Sequence, residues 1–208
     1  FRRDTDFVAA HLTGLDSIEH ALPAGGPGRV ADIEYLRALD GLGDWYRAQP
    51  GVVYVASLAE MSKRLNQARH GEDPDFYRLP EIGAAALLGE YAAAAPADVA
   101  RALVDESFST SRLGVIVGDH SSRQLRHLAA GADAWLASNA PQYAAPATGL
   151  ALMYAHVSGR NIEAMLISSG VALILISALL VFALKSWVLG ALSLLPNLAP
   201  AVIALGLW

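Results

Sequence analysis

Residues 164–184 read AMLISSGVALILISALLVFAL, a stretch without a single ionisable side chain. A bilayer-spanning helix needs about 20 apolar residues at a rise of ~1.5 Å each, so the length fits one crossing. After Lys185-Ser186-Trp187 a second apolar run, VLGALSLLPNLAPAVIALGLW, fills residues 188–208. Lys185 is the only charge between Ala164 and Trp208, whereas charges are scattered through everything before it. Two such runs, separated by three residues, argue for membrane helices rather than the buried helix of a soluble core. The chain is therefore expected to be an integral membrane protein, with a soluble domain over residues 1–158, a transmembrane helix over 159–185 and a further helix beginning at 188–208.

Composition narrows what the soluble part does. Hydrophobic residues make up 54% and charged residues 17%, an average over an ordinary domain and an apolar tail. The formal charge of −5 argues against nucleic-acid binding, which needs clustered Lys and Arg to neutralise phosphates. Cysteine is absent, which removes disulfide scaffolds and thiolate chemistry. The chain opens on Phe1 with no signal peptide and closes at Trp208 inside an apolar run, so the expectation is an internal fragment of a longer polytopic protein. Lys185 and Trp187 suit an interfacial turn; a cytoplasmic turn there puts residues 1–163 outside, while Arg160 points the other way.

Along the soluble part, 7–22 reads as a strand or hairpin, followed by a loop over 23–28. Ile33, Leu36, Leu39, Leu42 and Trp45 mark an amphipathic helix within 30–48, closed by Pro50-Gly51. Residues 52–55 (VVYV) form a short buried strand. Ser57 with Glu60 makes a capping box for a helix reaching about His70. A turn-rich connector (71–80) precedes an Ala-rich helix over 81–95. Residues 103–104 and 113–117 read as strands. Asp119, Ser121 or Ser122 caps a helix to about Ser138, with Leu125, Leu128 and Trp135 inward. Gly149–Val157 is a last strand. This order of split β-α-β units is that of an α+β, ferredoxin-like domain.

Several strings occur in an order and spacing similar to a known family. They are Gly14 with IEHALPAGG (18–26), Tyr35-Leu36 through Trp45, QPGV (49–52), VASL (55–58), KRLN (63–66) and HGEDP (70–74). YRLP (77–80), SRL (111–113), Trp135-Leu136, RNI (160–162) and LSLLPNLAPA (192–201) continue the series. Together they resemble the resistance-nodulation-division (RND) superfamily, in its MMPL-like, predicted-exporter branch. The resemblance implies two pseudo-repeated halves, each with a membrane helix, a large extracytoplasmic porter loop and five more helices. This chain would be the second loop with the following one to two membrane helices. It further implies a bacterial inner-membrane, multi-pass permease that exports lipids or other amphiphiles, driven by protons. Residues 1–158 would lie on the periplasmic side, with the bilayer, the amphiphilic substrate, the remainder of the transporter and a possible homo-oligomer as partners. The proton-coupling acids of such proteins lie in central helices; none occurs in 164–208.

The residues offer few alternatives. Asp119-His120-Ser121-Ser122 contains hydrolase residue types, but neighbours in sequence do not make a triad geometry, and helix capping explains them. His70, Glu72, Asp73 and Asp75 could ligate a divalent cation, although Pro74 favours a solvated turn. Lys63, Arg64, Arg69 and Arg78 form a basic cluster that either meets an anionic headgroup or pairs with Glu60, Glu72 and Asp73. Pro196 and Pro200 mark a kinked span or a hinge, and Asn197 should face protein. No catalytic, cofactor-binding or metal-binding residue is expected, and no enzyme activity. A membrane-tethered interaction or sensing module without transport is the other class that these features allow.

Overall fold

The computed structural model describes residues 16–94, 102–186 and the single positions 188, 192, 196 and 203. Three strands form an antiparallel sheet: β1 (Asp16–Pro23), β2 (Val52–Ala56) and β3 (Thr110–Val117), in the order β1-β3-β2. β3 lies in the middle and runs against both neighbours, so β1 and β2 point the same way. Pairing of β1 with β3 is continuous from Asp16 opposite Val117 to Pro23 opposite Thr110. The β2 pairing slips between Val52 and Tyr54, which bends this edge strand.

Alternation fixes which face of the sheet is covered. Ile18, His20 and Leu22 on β1, Leu113, Val115 and Val117 on β3, and Val55 on β2 are all buried. Because strand side chains alternate with period two, the intervening Glu19, Arg112 and Tyr54 face the other way. The helices gather on the buried side. α1 (Ile33–Arg47) contributes Tyr35, Leu36, Leu39, Leu42 and Tyr46; α2 (Leu58–Arg69) contributes Leu58 and Ala59. α3 (Ala84–Ala94) adds Ala84 and Leu88, and α4 (Ser122–Asn139) adds Leu125, Ala132 and Leu136. Leu128 and Trp135 are only partly buried against this core, because the fully covered stripe of α4 runs through Leu125, Ala129, Ala132 and Leu136. This part of the chain is thus α+β.

One pair of contacts sets how α1 meets α4. Each helix carries Gly-x-x-x-Trp, Gly41 with Trp45 and Gly131 with Trp135. A Cβ at Gly131 would lie 3.0 Å from the Trp45 ring, and one at Gly41 would lie 3.1 Å from Trp135. Each indole therefore rests on the other helix's glycine, which is possible only if the two helices run antiparallel at this crossing.

Several expectations need correction. Residues 52–55 do form a strand, but Tyr54 is 44% exposed on the open face of the sheet and Val53 60% exposed where the pairing slips. Leu103-Val104 is no strand; Val104 makes an isolated bridge to Ser111. Gly149–Val157 is not a strand either. Its Leu, Ala and Met are strong helix formers, and from Leu150 it merges with the apolar run into α5 (Leu150–Leu184), an unbroken helix of 35 residues. What remains on the outer edge of β1 is a single bridge, with Glu19 N donating to Thr148 O at 2.9 Å and Thr148 N to Glu19 O at 2.7 Å. Of the expected strand over 7–22, residues 7–15 lie outside the described residues. The chain divides into two compact units, Phe1–His156 and Val157–Trp208.

Candidate functional site

α5 is the first candidate. It is long and apolar enough to cross a membrane from Leu150 to Ala183, and none of its most apolar window is buried. Met165, Leu166, Ile174, Leu175, Leu179 and Phe182 are between 56% and 84% exposed and lie all round the helix. Leu152 and Ala155 near its start are buried, but the stretch from Met165 to Phe182 is apolar on every face and uncovered, which is poor in water and good in hydrocarbon. Among the described residues it is the one helix of this kind. Of the expected hinge, Pro196 is a helical, exposed position, and Pro200 lies outside the described residues. The same holds for most of the second expected span.

The second candidate is a groove of about 460 Å³ formed by the end of α1, the α1–β2 turn, the β3–α4 turn and the first turns of α4. Trp45, Gln49, Gly51, Asp119, His120, Gln124, His127 and Leu128 line it. The turn Pro50-Gly51 works only with glycine: Gly51 has φ +77°, and a Cβ there would come within 2.3 Å of His120 Cε1. The imidazole of His120 fills that space and places its Nδ1 3.3 Å from Gly118 O. A carbonyl can only accept, so Nδ1 donates, and in the neutral ring Nε2 is then an acceptor. Gln49 Nε2 donates to Trp45 O at 3.1 Å, which leaves its Oε1 as an acceptor too.

Asp119, His120 and Ser121 come together here, though not as a hydrolase. Ser121 is the N-cap of α4 and makes a full capping box with Gln124. Its hydroxyl donates to Gln124 Oε1 at 2.8 Å, and His120 bonds Gly118, so no Ser–His pair exists. The capping box expected at Ser57 is half formed. Glu60 N donates to Ser57 Oγ, but the Glu60 carboxylate turns elsewhere, toward Arg47 (2.9 Å), Arg64 (3.0 Å) and the Tyr77 hydroxyl. Burial alone would push this carboxyl up; the bonds from Tyr77 and Arg64 and the charge of Arg47 outweigh burial and hold it below its ordinary value.

The basic cluster is consumed internally, at Glu60 as expected and otherwise with partners other than Glu72 and Asp73. Lys63 pairs with Asp40, Arg64 with Glu60, and Arg69 approaches Glu90 at 3.9 Å. Arg78 lies over the Phe76 ring, 5.5 Å from its centroid. The possible metal ligands also have structural work. His70 stacks on Phe76 at 3.9 Å and donates from Nδ1 to Asn66 O, and Asp73 accepts from Asp75 N in a turn. No group of three or more metal-ligating side chains occurs among the described residues.

Two features escaped the sequence reading. His20 is fully buried, held by Ala145 O at its Nδ1 (3.3 Å) and by the Tyr46 hydroxyl at its Nε2 (2.7 Å). The groove draws on residues about 70 positions apart, joined only once β2 pairs with β3. The repeated Gly-x-x-x-Trp was the available signal, since it fixes the α1–α4 crossing that forms one wall. Comparison with protein-family models, with curated proteins and with solved structures finds no match.

Proposed function

We propose that this chain is part of a proton-driven RND-type membrane exporter of lipids or other amphiphilic molecules. Residues 1–158 would form its extracytoplasmic porter-like domain, and α5 would be the span that joins this domain to a bacterial inner membrane. The observation that carries the reading is α5, whose most apolar window is wholly unburied and which follows in sequence from an α+β unit. The sheet supports the finer, ferredoxin-like assignment: β1, α1 and β2 with β3 between the strands is a split β-α-β arrangement, and the Glu19–Thr148 bridge marks the edge where a fourth strand of that fold would pair. The ordered resemblance over nearly the whole chain supports the family.

A substrate conduit in such a protein needs mostly apolar contacts with few polar groups to fix orientation. A tethered interaction module is the second reading, and acidic residues in helices beyond residues 164–208 are what separates the two. The test is transport by the whole protein in proteoliposomes. Imposing an inward-acid pH gradient should move a fluorescent lipid analogue across the bilayer, and a protonophore should stop it. Gradient-independent behaviour, with the protein intact in the membrane, would leave the tethered module.

A further inference from the structure

The groove at the α1–β2 turn has a charge and hydrogen-bonding character that neither the exporter reading nor the fold requires. Asp119 is the only acidic side chain among its lining residues, which include no Lys or Arg. Asp119 is exposed and has no hydrogen bond or ion pair among the described residues, so its carboxylate is unspent. Beside it, His120 Nε2 and Gln49 Oε1 are left as acceptors by the bonds that their other ring or amide atoms make. The Gln124 carbonyl is taken up by Ser121, leaving the amide NH₂ as the one fixed donor from that residue. The half-buried indole of Trp45 and Leu128 supply the apolar wall.

From this inventory we infer that the groove binds an organic ammonium cation, a protonated amine on a small apolar body. The ammonium N–H groups would meet Asp119 and the two free acceptors, the positive charge would be favoured by the indole ring, and the carbon skeleton would cover Trp45 and Leu128. An anion is disfavoured by the carboxylate, and the described residues bring together no three side chains able to hold a metal ion. Two glycines hold the site open: Gly51 gives His120 its place, and Gly131 gives Trp45 its place. The site does not depend on proton coupling or on export.

The test uses the full chain in a neutral, non-glycosidic detergent, with n-butylammonium as the probe and 1-butanol as its uncharged counterpart. Binding is followed by the fluorescence difference between the native protein and Trp45→Phe, which isolates that indole from the other tryptophans. Saturable binding of butylammonium, with butanol weaker by about tenfold or more, is expected, since one ion contact contributes on that scale. Asp119→Asn, a change at an exposed position, should weaken butylammonium by a similar factor and leave butanol unchanged. Glu34→Gln, exposed on α1 away from the groove, should change neither. Equal affinity for the two probes, full affinity in Asp119→Asn, or no saturable response would overturn the assignment. An exporter that works without this binding would remove the groove alone; binding intact in a protein that does not transport would remove only the exporter reading.

Discussion

Gly51, His20 and Glu60 carry constraints that can each be tested by one substitution. Gly51→Ala forces a side chain into a left-handed backbone and against His120, and should cost about 1–3 kcal/mol of stability; a denaturant melt with an unchanged midpoint would contradict the close approach. His20 is neutral inside the fold because burial lowers its pKa, only partly offset by its bond to Ala145 and the charge of Asp133. The unfolded chain therefore takes up a proton that the folded chain refuses. As pH falls below about 6.5 toward the folded pKa, this group removes stability by up to about 1.4 kcal/mol per pH unit. In His20→Gln that slope should flatten, and pH-dependent melts showing the native slope would refute the buried neutral ring. Glu60 acts in a lower window. With its pKa held down, its contribution is present above the ordinary carboxyl range and is lost as pH falls through the folded value. Glu60→Gln should lose about 1–3 kcal/mol near neutrality, as expected for removing a charged acceptor from three donors, with much of the difference from the native protein disappearing in strong acid.

Between elements, the α1–α4 crossing and the nature of α5 decide the architecture. Gly131→Leu pushes a side chain into Trp45 and should destabilise by about 1–3 kcal/mol, whereas Ala130→Leu, on the exposed side of α4, should be nearly neutral. Thermal melts of the two variants compare the crossing directly. Helices with a clear amphipathic period were legible in sequence: α1, α2 and α4 were placed within a few residues, and their caps at Ser57 and Ser121 were visible. Short apolar runs were not, since neither periodicity nor length separates a strand from a helix over nine residues. Gly149–Val157 went to helix because α5 continues it, a long-range circumstance absent from the local pattern. Leu103-Val104 was too short to hold more than one bridge. The groove was illegible for another reason. Asp119 and His120 are adjacent in sequence, but Gln49 and Trp45, which line the groove with them, precede β2 and come near once β2 pairs with β3. Similarly, the partners of Lys63 and Arg69, Asp40 and Glu90, lie on other helices.

At the scale of the molecule, the chain combines an α+β unit with a core on one face of its sheet and an apolar helix long enough to span a bilayer. A charge in the middle of that helix should be costly. Leu175→Arg should reduce membrane insertion by about 2.5–3.5 kcal/mol on an insertion scale, seen as a shift of the protein out of the membrane fraction. The most direct measurement exploits the absence of cysteine, so that a single introduced thiol reports its own location. Ala137→Cys places the thiol on the exposed side of α4, and Leu175→Cys places it within the apolar stretch of α5. In spheroplasts treated with a membrane-impermeant maleimide, the Ala137→Cys protein should be labelled with the membrane intact, and the Leu175→Cys protein only after detergent. Labelling of Leu175→Cys without detergent, or protection of Ala137→Cys until the membrane is broken, would contradict a spanning α5 with its α+β unit outside.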